Sequence, residues 1–132
     1  MEERRLRSAP LFAGLGKKER RALAARTDEI DVPAGEQLAR EGEFAYEFFV
    51  IEKGTAEVTH GSEHLADLGP GDFFGEIGVL GHKRRGATVT ATSPMEVIVM
   101  TEQALRSLNH EEPQVAQRLE EAMEERLAAD GG

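Results

Sequence analysis

One acid and one arginine flank a run of small residues in Gly71-Asp72-Phe73-Phe74-Gly75-Glu76-Ile77-Gly78-Val79-Leu80 and Arg85-Gly86-Ala87-Thr88-Val89. The Glu76 carboxylate can accept hydrogen bonds from an alcohol. The Arg85 guanidinium offers a planar fork of donors that matches the oxygens of a phosphate. Glycines beside them let bare backbone N–H groups approach an anion. Glu76 and Arg85 are nine positions apart, so they do not share a helix face and meet only where the chain folds back between them. Such a loop could hold a sugar hydroxyl and a phosphate at once. The plainer alternatives are an ordinary exposed acid at Glu76 and a surface basic cluster of Lys83, Arg84 and Arg85.

The elements that must position this loop fall into three zones. Residues 1–26 read as helical, from Arg4 to Ser8, then a break at Pro10, Gly14 and Gly16, then Lys17 to Arg26. Leu11, Phe12 and Leu15 are the apolar anchors of the break. Residues 27–100 are punctuated by glycine, and short β-type segments lie between the glycines: Glu29–Val32, Glu47–Glu52, Thr55–His60, His64–Leu68, Ala87–Thr92 and Met95–Met100. Ile30/Val32, Phe48/Val50 and Val97/Val99 show a period of two. Many short strands with frequent turns predict a mainly β fold, a small barrel or roll. Hairpin turns are expected at Glu52-Lys53-Gly54-Thr55 and His60-Gly61-Ser62. Residues 101–130 are helical again. Thr101 caps a first helix through Leu108, Asn109-His110 interrupts it, and Pro113 opens a second helix to about Ala129. Val115, Leu119, Met123 and Leu127 form a narrow apolar stripe on that second helix.

Composition narrows the function. A chain of 132 residues has room for one domain with a real core. It lacks cysteine, which removes disulfides and thiolate chemistry, and His60, His64, His82 and His110 show no metal spacing. A net charge of −9 argues against direct contact with nucleic acid. No apolar run is long enough to span a bilayer, so a soluble, cytoplasmic protein away from membranes is expected. Charge is uneven: residues 1–26 carry eight basic side chains against three acids, and residues 111–130 carry two against seven. Two solvated faces would explain this, as would attraction between the terminal helices, within one chain or across a dimer.

The glycine-rich run closely resembles the phosphate-binding cassette of cyclic nucleotide-binding domains. These occur in bacterial catabolite activators, regulatory subunits of cyclic AMP-dependent kinase and cyclic nucleotide-gated channels. Phe74-Gly75-Glu76-Ile77-Gly78-Val79-Leu80 follows the family order Phe-Gly-Glu-aliphatic-small-aliphatic-Leu, and Arg85-Gly86-Ala87-Thr88-Val89 follows Arg-small-Ala-Thr-Val. The resemblance implies one domain over residues 1–132: a β-roll of the double-stranded β-helix, jelly-roll-like type, with N-terminal helices and a C-terminal lid helix. It implies ligand contacts from Phe74, Gly75, Glu76, Ile77, Gly78, Val79, Arg85, Gly86 and Ala87. Glu76 would accept from the ribose 2′-hydroxyl and Arg85 would take the cyclic phosphate. Gly75, Ile77 and Gly78 would open a short helix with its N–H groups toward that phosphate.

Relatives that favour cyclic GMP often have threonine or serine after the arginine, so Gly86 points to cyclic AMP as the ligand, with no further cofactor. Arg84 stands where the family often has proline and would act as an outer cation. Phe73, Phe74 and Ile77 are expected in the core or pocket wall, and Val89 with Leu65 against the base. The last helix would close over the base, signal to a downstream protein partner and pair with its twin in a homodimer. Bacterial activators continue into a helix-turn-helix domain. This chain ends at Asp130-Gly131-Gly132, leaving a stand-alone sensor or a domain cut from a longer regulator. A ligand-free interaction module on the same fold is the first alternative, and the Glu76–Arg85 pair speaks against it. A phosphodiesterase or cupin-like metal enzyme is the second, and the lack of clustered His/Asp ligands weighs against catalysis.

Overall fold

A computed structural model describes residues 1–7, 9–43, 47–75 and 86–130. Three short helices, α1 (Glu3–Arg7), α2 (Pro10–Ala13) and α3 (Lys17–Ala24), precede the strands. The strands are β1 (Asp28–Val32), β2 (Gln37–Ala39), β3 (Phe48–Lys53), β4 (Ala56–His60), β5 (Glu63–Leu68), β6 (Phe73–Gly75), β7 (Thr88–Ala91) and β8 (Met95–Met100). Helices α4 (Glu102–Glu111) and α5 (Pro113–Asp130) follow. The strands form two four-stranded sheets, ordered β1-β8-β3-β6 and β2-β7-β4-β5, and every pairing is antiparallel. This is the mainly β roll with flanking helices that the sequence predicts.

Two apolar cores share the first sheet. Phe49, Ile51, Val97 and Val99 face the second sheet and pack with Val32, Ala39, Ala56, Val89 and Ala91. The alternate residues Phe48, Val50, Ile98 and Met100 face the helices and pack with Leu6, Phe12, Leu23, Leu105, Leu108 and Leu119. Because both faces are covered, β3 and β8 read as continuous apolar runs, Phe48-Phe49-Val50-Ile51 and Val97-Ile98-Val99-Met100. The two predicted hairpin turns fall between β3 and β4 and between β4 and β5. Gly54 at the first has φ +92°, and a Cβ there would stand 2.3 Å from the Pro94 carbonyl oxygen. Only glycine fits that turn.

The helices depart from expectation in two places. Pro10 does not break the chain but opens α2, where its fixed φ suits the first turn and its missing N–H costs nothing. Asn109-His110 does not interrupt α4, which continues to Glu111. The Asn109 side-chain amide donates to the Leu105 carbonyl at 2.9 Å, so it folds back along the helix instead of competing with it. Pro113 ends α4 and starts α5, because the residue before proline is pushed out of the helical region. Thr101 caps α4 as expected, its hydroxyl accepting from the Ala104 N–H at 3.2 Å.

α5 packs against α4, α2 and α3, with Val115, Ala116 and Leu119 buried. The side chains of Met123 and Leu127, the rest of the expected stripe, lie outside the described residues. Ion pairs cross between the two ends, Arg26 to Glu111 at 2.8 Å and, in the opposite sense, Glu19 to Arg118 at 3.5 Å. Among the described residues no helix is long and apolar enough to cross a membrane.

Candidate functional site

The two halves of the candidate loop hang from different sheets. β6 pairs with β3 in the first sheet and ends at Gly75; β7 pairs with β2 and β4 in the second and starts at Thr88. Glu76, Ile77, Gly78, Val79 and Arg85, with Lys83 and Arg84, lie between these strands and outside the described residues. Phe74, Gly75, Gly86 and Ala87, the other expected contacts, are described.

Gly75 does not open a helix. It is the last residue of β6, paired with Phe48 at φ +111°. A Cβ there would lie 2.3 Å from the Glu47 carbonyl oxygen, so glycine lets β6 close tightly on β3 before the chain leaves the sheet. Phe74 stacks on Phe49 with ring centroids 4.8 Å apart, while Phe73 leans on Phe48 at 6.0 Å toward the helices. Both serve as core wall. On the other side Val89 is buried between the sheets, Ala87 is half-buried and Gly86 is exposed. Leu65, on β5, remains 51% exposed.

Sequence reasoning missed a polar network at this end of the roll. The Thr88 hydroxyl, buried at 8% exposure, accepts from the Glu41 backbone N–H at 3.1 Å. The Glu41 carboxylate accepts from the Gly61 N–H at 2.9 Å and lies 3.4 Å from His60 Nδ1. His60 Nδ1 in turn lies 3.0 Å from the Gly86 carbonyl oxygen. These residues are far apart in sequence, and no local pattern announces them.

A second group of acids sits at the other end of β3. Glu52 is pushed up to about 7, first by burial and then by sharing a hydrogen bond with Glu29 and facing its charge. The Glu29 carboxylate is held below its ordinary value, chiefly by the hydrogen bond from Glu52 and also by Arg5, which it pairs with from α1. Glu52 Oε1 is buried with no hydrogen-bond partner among the described residues. This pair belongs to the contact between α1 and the first sheet, not to the loop. Among the described residues no three potential metal ligands come together.

The sequence pattern of the cyclic nucleotide-binding domain matches residues 29–112. The chain is 35% identical over 105 residues to a cAMP-dependent protein kinase regulatory subunit of Yarrowia lipolytica, covering 78% of this chain and 28% of that protein. It is 34% identical over 84 residues to a cGMP-dependent protein kinase of Eimeria tenella, covering 64% of this chain and 8% of that one. The chain thus spans less than a third of either relative. The solved N-terminal domain of a transcriptional regulator from Streptomyces coelicolor superposes with a TM-score of 0.76 at 28% identity, over 95% of this chain and 93% of that one. With the family pattern covering most of the chain on a roll of the same architecture, this protein belongs to the cyclic nucleotide-binding domain family.

Proposed function

We propose that this domain is a cyclic AMP sensor that binds its ligand without transforming it. The reading rests most on one observation: the Phe74-to-Val89 run bridges the two sheets, leaving β6 at a tightly seated Gly75 and entering β7 through an exposed Gly86. Glu76 takes the ribose 2′-hydroxyl. Arg85 takes the cyclic phosphate with a charge-assisted fork, helped by backbone N–H groups from Gly75 through Val79. Gly86 and Ala87 border the base, with Val89 and Leu65 as its apolar walls. Glycine at position 86 offers no hydroxyl to a guanine, and the Yarrowia relative is named for cAMP, so cyclic AMP is the favoured ligand. The Eimeria relative, named for cGMP, makes selectivity the point to measure.

The output is α5. Ligand shifts it only as far as affinity differs between two helix positions, and a downstream protein or a second copy reads the change. Calorimetric titration with cyclic AMP and cyclic GMP tests the reading. One site per chain with tighter cyclic AMP binding is expected, together with a raised melting temperature, about 2.7 kcal/mol at roughly 100 times the dissociation constant. No heat and no thermal shift at millimolar ligand would leave an interaction module. AMP accumulating in the cell would mean an enzyme.

A further inference from the structure

We infer that His60 is a positioning residue of the nucleotide site, holding the Gly86–Ala87 backbone where the ligand meets it. The inference rests on the proposed cyclic nucleotide reading of that site. Gly86 is exposed, and a Cβ built on it meets nothing within 4 Å among the described residues. Side-chain packing from the described residues therefore does not fix the backbone at this point. Among the described residues, the contact that does is the 3.0 Å hydrogen bond between His60 Nδ1 and the Gly86 carbonyl. A carbonyl can only accept, so Nδ1 carries the proton.

The imidazole is itself held. The Glu41 carboxylate stands 3.4 Å from the same nitrogen and is anchored by the Gly61 N–H at 2.9 Å. Glu41 is tied in turn to Thr88 through its own N–H, at 3.1 Å. Three segments are thereby pinned together: the chain after β2, the β4–β5 turn and the entry to β7. The opposite end of the loop needs no such device, because Gly75 is locked against β3 by its strand pairing. The asymmetry gives His60 its role. One edge of the site joins the sheet at Gly75 itself, while the other reaches its sheet only at Thr88, and the His60 side chain holds the interval between.

The test compares His60→Ala with His60→Asn in the full chain. An asparagine amide nitrogen falls close to the position of Nδ1 and can donate to the same carbonyl. His60→Ala should weaken cyclic AMP roughly threefold to tenfold, the worth of one hydrogen bond, and His60→Asn should restore most of the affinity. Ligand-free melting temperatures of both should stay within about 2 °C of the parent protein. Equal affinity in all three proteins overturns the role, as does an asparagine variant as weak as the alanine one. The second measurement needs no ligand. Nitrogen chemical shifts of the His60 ring should show Nδ1 protonated, and a bare Nδ1 overturns the clamp. A parent protein that binds no cyclic AMP but keeps a protonated Nδ1 would sink the ligand reading and retain the backbone contact.

Discussion

Replacing Arg85 with leucine would set an apolar group against a phosphate and remove a bidentate donor. Hydrogen bonds to charged groups are worth about 1.5–3 kcal/mol each, so cyclic AMP affinity measured by calorimetry should fall on the order of 100-fold. Arg84→Leu should cost less than about tenfold, since an outer cation in water contributes little. The reverse ranking would move the phosphate contact to Arg84. At Gly86 the structure removes a concern about substitution. Its φ is not in the left-handed region, and a Cβ there meets none of the described residues within 4 Å, so Gly86→Thr should fold without backbone strain. The new hydroxyl is expected to improve cyclic GMP relative to cyclic AMP by about 1 kcal/mol, one neutral hydrogen bond. Competition titrations with both nucleotides read the ratio, and an unchanged ratio in a folded variant counts against a base bordered by residue 86.

At the scale of elements, α5 is held by neighbours more than by its own propensity. Its apolar side is narrow and much of the rest is acidic, and helices in proteins draw most of their stability from tertiary packing. It is seated by Val115, Ala116 and Leu119 among the N-terminal helices and α4. That places its buried side in the layer on the outer face of the first sheet, whereas His60 ends β4 of the second sheet and Gly86 leads into β7. A ligand at the loop would act on α5 across the first sheet and the helix layer, or by drawing the exposed side of α5 toward the base. Hydrogen exchange separates these from a static helix: residues 113–127 should gain protection when cyclic AMP is added. Equal protection with and without ligand would leave a binder with no motion in α5.

The whole molecule carries a pH dependence that the ligand loop does not set. Glu52 is raised from 4.5 to about 7 by burial and by Glu29, so the folded chain keeps a proton that the unfolded chain releases at lower pH. Its contribution to stability is present in full below the ordinary carboxylate range and is lost as pH rises toward about 7. Glu29 is shifted the other way, and its contribution is lost in acid. Arg5 of α1 pairs with Glu29, while Glu96 of β8 adds a like charge beside Glu52. The melting temperature should fall as pH rises from about 4.5 to about 7, and Glu52→Gln, neutral throughout, should flatten that slope and raise stability at the upper end. An unchanged slope in the glutamine variant would place the dependence elsewhere.

Local order in the sequence determined the family and the outline of the roll. Phe-Gly-Glu and Arg-Gly-Ala-Thr-Val are contiguous runs, and alternation or apolar runs mark β1, β3, β4, β5, β7 and β8, because strand faces repeat every two residues. Thr101 and Pro113 are likewise legible, since caps act within one helical turn. β2 and β6 are not, because three residues hold too little pattern and exist as strands only through their partners β7 and β3. Asn109 reads as a breaker until its amide is seen bonded to Leu105. The Glu41, His60, Gly61, Thr88 and Gly86 contacts span separations of 19 to 47 residues, and the Glu29–Glu52 pair lies on β1 and β3, the two strands that flank β8. Only tertiary structure decides such groupings, because hydrogen bonds and burial depend on distance in space, and sequence pattern reports distance only along the chain.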